Sequence, residues 1–356
     1  MRPSRRTLLR GSLAATVAAG GAAAAAATLR NKSPHPDGTP APLRGATPLP
    51  YAEVLSLDLA ADDGQRVAAL GAAHRACEVV DGGKAAAWLG LGEGVLPPDI
   101  VRPQQLRRMP IFAGDVLDPN QSHGDLLLQI TATSLRSLQT ATEQVLRDLP
   151  QWQVRWRVNG ARPENRVESG RGLSLNPFHF TEGYGNPATE AATAERATVK
   201  AGQGEPSWAV GGSYQVIRII RLATDFWDRD TVPEQERIIG RRRDGRWLDG
   251  TPNTERAVFT TDPHGKITPL DAHVRRATPN PRAPAPMVRR SYNYDRGPDG
   301  QGLIFSCFQS DLEKGFEAVQ HRLQGEAMAK YTLTTGGGYF FVPPPGDTWL
   351  RAIADN

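Results

Sequence analysis

Two cysteines and seven histidines bound the metal chemistry open to this 356-residue chain. Cys77 and Cys307 make at most one disulfide, and two thiols are too few for a Cys-rich zinc or iron–sulfur site. A metal must therefore be held by other side chains or arrive inside a cofactor. A neutral imidazole is a suitable axial donor to iron, yet the residues alone single out none of the seven histidines. Paired arginines such as Arg289-Arg290 offer fixed cations that stabilise developing negative charge, or else simply face water. Asp311 stands just before a helical pattern and suits an N-cap. The seven Trp and seven Tyr include candidates for long-range electron transfer, although core packing explains most of them.

These groups need a scaffold, and the apolar pattern supplies one. Residues 126–132 form an apolar run of strand length, and 135–149 follow with helical spacing at Leu135, Leu138, Val145 and Leu149. Trp152 to Val158 alternates like a strand. The later half repeats the theme, with Leu303 to Phe308 apolar and Leu312, Phe316, Val319 and Leu323 on one helical face. Tyr214 to Leu222 is β-branched and strand-like, and Gly336 to Val342 reads as a glycine turn entering an aromatic strand. Residues 161–207 and 242–300 are polar and rich in Gly and Pro, too long for simple connectors and so candidates for functional loops.

The composition is that of a globular protein, 39% hydrophobic and 22% charged. The formal charge of +4 is a small excess, part of it in the first ten residues, and points to no nucleic-acid partner. That N-terminal segment, Ser4-Arg5-Arg6-Thr7-Leu8-Leu9-Arg10, precedes an Ala/Gly-rich run to about Ala27. It resembles a twin-arginine signal peptide over residues 1–30, with the Tat translocase as partner and an extracellular, periplasmic or cell-envelope destination. Alanine and glycine are poor material for a membrane span. A Pro/Gly/Thr-rich linker is expected over 31–48, then one domain over 49–205 and another over 206–356.

Several segments in order resemble the dye-decolorizing (Dyp-type) haem peroxidases, including the deferrochelatase branch. They are Phe112-Ala113-Gly114-Asp115, Ser122-His123-Gly124-Asp125, Gly211-Gly212-Ser213-Tyr214 with Arg218, and Gln235 through Arg241. His273-Val274-Arg275-Arg276-Ala277, Arg289-Arg290-Ser291-Tyr292 and Gly336-Gly337-Gly338-Tyr339-Phe340-Phe341 complete the set. The resemblance implies an α+β fold, a duplicated ferredoxin-like unit, with one haem b per chain in the C-terminal half. His273 matches the proximal iron ligand, Arg289 the distal arginine, and Arg241 an arginine that pairs with a haem propionate, where a structural salt bridge is the competing role. Asp311 either accepts a hydrogen bond from the proximal histidine or caps its helix.

The distal acid departs from the family. Where relatives carry Gly-x-x-Asp-Gly, this chain has His179-Phe180-Thr181-Glu182-Gly183. Glu182 keeps a carboxylate for acid–base work, one methylene longer, and His179 either crowds the site or substitutes as base. The expected activity is reduction of hydrogen peroxide with oxidation of dyes, phenols or similar small-molecule reductants. The alternatives are a deferrochelatase-like or iron-oxidising role, or an exported haem-binding protein with weak turnover. The oligomeric state stays open, a homo-oligomer included, as does pairing of Cys77 with Cys307.

Overall fold

The computed structural model describes residues 38–355, except 61, 62, 81, 254, 256–258 and 281. The expected export signal and the first part of the expected linker lie outside the described residues. The rest of that linker is part of the fold, because Leu43 is fully buried against Trp88, Val288 and Phe308. Among the described residues no helix is long and apolar enough to cross a membrane.

The first half runs β1 (Tyr51–Leu59), α1 (Arg66–Val80), β2 (Ala85–Leu91), β3 (Leu126–Ala132), α2 (Leu135–Arg147), β4 (Trp152–Ala161). Its sheet order is β4-β1-β3-β2, all antiparallel, with β3 central and every residue of it buried. Helix α2 starts where Ser134 Oγ accepts the Ser137 N–H at 3.1 Å, and it buries Leu138, Ala141, Thr142 and Val145. Leu135, the first helical residue, is 65% exposed, so the buried stripe begins one turn later than the apolar spacing suggests.

A three-stranded sheet of β5 (Arg166–Glu168), β6 (Arg171–Leu175) and β7 (Thr181–Glu182) then precedes α3 (Glu190–Ala197). The second half holds β8 (Ser213–Leu222), α4 (Thr224–Trp227), α5 (Val232–Ile239), α6 (His273–Ala277) and β9 (Val288–Arg289). It continues through β10 (Tyr292–Asp295), β11 (Gln301–Gln309), α7 (Ala318–Leu323), β12 (Thr332–Val342) and α8 (Thr348–Ala354). Taken as first, second, third and fourth strands, β8, β10, β11 and β12 lie in the order fourth, first, third, second, the order of the first half. This is the duplicated ferredoxin-like α+β fold expected from the sequence.

The two four-stranded sheets join into a ring. Phe341 of β12 pairs with Leu91 of β2, and Asn293 of β10 pairs with Ala161 of β4. Inside lie Val54, Leu127, Trp156, Ile217, Ile304 and Phe340, none more than 5% exposed. A larger apolar cluster outside the ring packs α1, α2 and α8 onto it. The described residues thus form one compact unit in which both halves share a sheet.

Four details differ from the sequence pattern or extend it. Residues 336–338 are strand, not turn: a side chain at Gly337 would collide with the Ile217 carbonyl, and glycine lets the neighbouring segment hydrogen-bond to β12 through His123 N–H and Gly337 O at 2.7 Å. The helix expected from Leu312 opens with a wide π turn over Glu313–Glu317 before α7. Asp115 and Arg218, 103 residues apart, form a buried ion pair, with Arg218 also donating to Thr334 Oγ1 at 2.8 Å and lying over the Phe112 and Phe316 rings. Cys77 and Cys307 are unpaired and buried, and burial pushes the Cys77 thiol up to about 12 and Cys307 higher still.

Candidate functional site

His273 is the first residue of α6. The helix is held by an unusual anchor for so short an element. Asp262 accepts the backbone N–H groups of Lys266 (2.7 Å), Ile267 (3.2 Å) and Thr268 (2.9 Å), while Arg275 of the helix donates to the Asp262 carboxylate at 3.1 Å and its carbonyl at 2.6 Å. The loop and helix therefore move as one piece. The imidazole Nδ1 donates to Glu326 at 2.6 Å. Burial works to lower the pKa of His273, but the Glu326 charge and hydrogen bond outweigh it and hold it above the ordinary value. With 29% of its side chain accessible, His273 keeps an open face, and its Nε2 has no hydrogen-bond partner among the described residues.

This corrects the expectation for Asp311. Its carboxylate accepts the Lys314 backbone N–H at 3.0 Å and the Gln105 side-chain amide at 3.1 Å, and it pairs with the Lys314 ammonium. It caps the π turn and does not touch His273, whose carboxylate partner is Glu326. The sequence offered no signal for Glu326, 53 positions away in an irregular stretch.

Arg289 sits on β9, and the adjacent Arg290 points the other way, as successive strand residues must. Arg290 donates to the carbonyls of Leu43 (3.2 Å) and Gly45 (2.7 Å), so the arginine pair divides its work. The backbone of Arg289 is clipped by one side chain: Asn186 Oδ1 accepts its N–H at 2.9 Å and Asn186 Nδ2 donates to its carbonyl at 2.8 Å. The guanidinium passes so close to Gly185 that a Cβ there would overlap it. Its side chain makes no hydrogen bond or ion pair among the described residues. Burial lowers its pKa, while the nearby Glu182 carboxylate works in the opposite sense.

Glu182 reaches the same region from β7. Its Oε1 accepts the Asn176 side-chain amide at 3.0 Å, and Asn176 Oδ1 in turn takes the backbone N–H groups of Phe178 (3.1 Å) and Phe180 (2.9 Å). The turn at 176–180 that aims Glu182 is thus organised by one asparagine. Glu182 interacts electrostatically with both Arg289 and His273.

His179 stands apart from this group. Its φ is +69°, a left-handed conformation that glycine adopts more readily than histidine. Its ring is 47% exposed, and Nε2 meets Asp228 Oδ1 at 3.1 Å. It has no contact with Glu182, Arg289 or His273, so the geometry gives it no place as a second base.

Arg241 lies near Arg289, whose guanidinium disfavours the charge on Arg241. Burial and then Arg289 push its pKa down to about 10. It forms no ion pair among the described residues, against the salt bridge weighed from the sequence. Its plane lies 3.7 Å from the centre of the Trp247 ring and 5.6 Å from that of Tyr184, and its Nη1 donates to the Gly245 carbonyl at 2.8 Å. The result is a cluster of one imidazole, two carboxylates and two guanidiniums that have no ion pair among the described residues. Such a set can bind an anionic group, hold a metal by one axial donor, and move a proton beside a fixed positive charge.

Fold and clustered residues together are those of the Dyp-type peroxidase family. Residues 86–162 match the profile of the Dyp-type peroxidase N-terminal region and residues 174–347 that of its C-terminal region, and the chain belongs to this family. A deferrochelatase from Yersinia pestis is 38% identical over 257 residues, 68% of this chain and 59% of that protein. The chain thus spans less than two thirds of the curated relatives it matches. The crystal structure of a DyP-type peroxidase from Streptomyces coelicolor is 29% identical, with a TM-score of 0.76 over 86% of this chain and 92% of that one. A Rhodococcus jostii protein solved in complex with heme shares the fold at 18% identity, with a TM-score of 0.65 over 84% and 94% of the two chains.

The strained position at 179 yields a stability prediction. A left-handed non-glycine residue costs about 1–2 kcal/mol, and glycine loses about 0.5–1 kcal/mol in conformational entropy. The half-exposed contact to Asp228 contributes little. His179→Gly is therefore expected to raise unfolding stability by about 0.5–1 kcal/mol in urea titration. An unchanged or lower midpoint would mean that the Asp228 contact outweighs the strain.

Proposed function

We propose that this protein is a haem-dependent peroxidase in which His273 is the axial ligand, Glu182 the acid–base group and Arg289 the electrostatic partner. The observation that carries the reading is the His273–Glu326 pair at 2.6 Å, with the charges of Glu182 and Arg289 near enough to act on the same imidazole. A carboxylate on Nδ1 orients the ring and makes the other nitrogen a stronger donor. The residues fit haem b. His273 offers iron a single imidazole donor whose other nitrogen is held by Glu326, which is what a haem iron takes from a protein. Two guanidiniums lacking carboxylates, Arg241 and Arg289, are suited to anionic edges and anionic intermediates.

Haem, when bound, supplies the iron centre for peroxide cleavage and stores the oxidising equivalents taken up by dyes, phenols or similar reductants. Glu182 takes a proton from one peroxide oxygen and returns it to the other, its Oε1 steadied by Asn176. Arg289 places a fixed cation against the negative charge that develops as the O–O bond breaks. It needs no reorganisation, because Asn186 holds its backbone and Gly185 leaves room for its head.

The test is a visible spectrum and stopped-flow mixing with peroxide. His273→Ala is expected to lose the histidine-ligated haem spectrum, and Glu182→Gln to slow the peroxide step by about 10²–10⁴. His179→Ala should leave it within about twofold, since its ring is engaged at the surface. A severe His179→Ala with a mild Glu182→Gln would reverse the assignment.

A second reading is favoured by the 38% identity to proteins named deferrochelatase: release of iron from haem with the porphyrin left intact. Free porphyrin fluorescence after incubation with haem and a reductant, without peroxide, distinguishes it, and the peroxidase reading expects none.

For localisation we propose export by the Tat pathway, on the strength of Arg5-Arg6 and the Ala/Gly-rich run behind them. Changing both arginines to lysine is expected to leave folded precursor in the cytoplasm, measured by fractionation. Unchanged export would assign another route.

A further inference from the structure

A cleft of about 630 Å³ lies on the outer side of the hairpin that carries Arg241 and Trp247. Four arginines line it, Arg237, Arg242, Arg243 and Arg246, against two carboxylates, Glu236 and Asp244. The carboxylates are largely committed. Asp244 pairs with Arg246 at 2.6 Å, and Glu236 accepts the Arg243 backbone N–H at 3.0 Å. That leaves Arg237, Arg242 and Arg243 without an ion pair among the described residues. Arg242 donates to the Leu248 carbonyl at 3.1 Å and Arg243 to the neutral side chain of Gln235. The Nε of Arg243 is buried and has no acceptor, a donor that a folded protein seldom leaves unmet. Val232, Pro233, Leu248 and Ile267 give the cleft an apolar part to its lining.

We propose that this cleft is a second binding site, separate from the His273 cluster, for a small organic dianion. Its oxyanions would be held by Arg237, Arg242 and Arg243, and its apolar body would lie on Val232, Pro233, Leu248 and Ile267. Three unpaired guanidiniums suit planar oxyanions such as carboxylate, sulfonate or phosphate, which accept two parallel N–H bonds. The apolar lining selects an organic anion over an inorganic one. The hairpin has two faces: Arg241 bridges to Trp247 and both pack inward, while Arg242, Arg246 and Leu248 face the cleft. A ligand in the cleft therefore braces the segment that holds Arg241 without entering the cluster.

The experiment is titration calorimetry of the purified full chain with naphthalene-1,5-disulfonate, with inorganic pyrophosphate as the second probe. The disulfonate is expected to bind saturably and to weaken with rising salt. Affinity should fall at least about tenfold in Arg243→Gln and in the exposed Arg237→Gln, one charge-assisted contact each. Arg243→Lys, compared by circular dichroism melting, separates loss of the contact from loss of folding. Binding should persist in His273→Ala, so the outcome does not depend on the peroxidase assignment. No saturable binding, or affinity unchanged in both glutamine variants, overturns the site. Pyrophosphate binding as tightly as the disulfonate overturns the organic part of the proposal.

Discussion

Hydrogen-bonding demand at strand edges is the constraint from which this architecture follows. A four-stranded sheet standing alone has two edges of unpaired N–H and C=O groups, open to other chains. Here each half covers the edges of the other, through Leu91–Phe341 on one side and Ala161–Asn293 on the other, and the interior fills with large apolar side chains. Neither half is then an independent folding problem. The ring is stiff because its closing pairs and its core are shared, and it leaves the long connections free to carry chemistry. Every residue of the His273 cluster comes from such a connection or from the two-residue strands β7 and β9 that the connections contain.

What those connections assemble is governed by charge in a place that is partly dry. Arg289 and Arg241 are near neighbours with no carboxylate bonded to either, an arrangement that costs free energy. The cost is tolerable because both backbones are fixed by other means, Arg289 by Asn186 and Arg241 by the bridge to Trp247. Glu326 and Glu182 supply the balancing negative charge from two sides, one bonded to His273 and the other standing off from Arg289. The cluster is thereby polarised before any ligand arrives, which is the condition for electrostatic catalysis.

The sequence made the scaffold legible because its strands are strongly patterned. The run 126–132 and the stretch 214–222 are core strands, and the repeated strand-then-helix units agree with the duplication that the family resemblance implies. The glycines at 336–338 misled, since a glycine in a strand marks close approach of another backbone as readily as a turn. His273, Arg289, Glu182 and Arg241 were reached through local motifs, and the structure gathers them. Asp311 stayed open between a helix cap and a partner for a distant histidine, which look alike in one dimension, and the structure bears out the cap. Glu326, Asn176 and Asn186 were missed for the same reason. Each acts by reaching across the fold or around a turn, and a lone acidic or amide residue in a loop carries no periodic signal. The conformation of His179 was also invisible, although the family glycine at that position hinted at it.

The buried thiols have a bearing on durability. Oxidation of a cysteine by peroxide proceeds through the thiolate, and its rate follows the thiolate fraction and the exposure of the sulfur. Cys307 lies in the strand beside Arg289, within the part of the molecule where peroxide is expected to be handled. A neighbouring guanidinium would ordinarily activate such a thiol, but burial is the larger effect and keeps the proton on, as it does at Cys77. Neither sulfur is exposed, and neither has a resolving partner. Burial thus keeps both thiols protonated and out of reach, the form of cysteine that peroxide oxidises slowly.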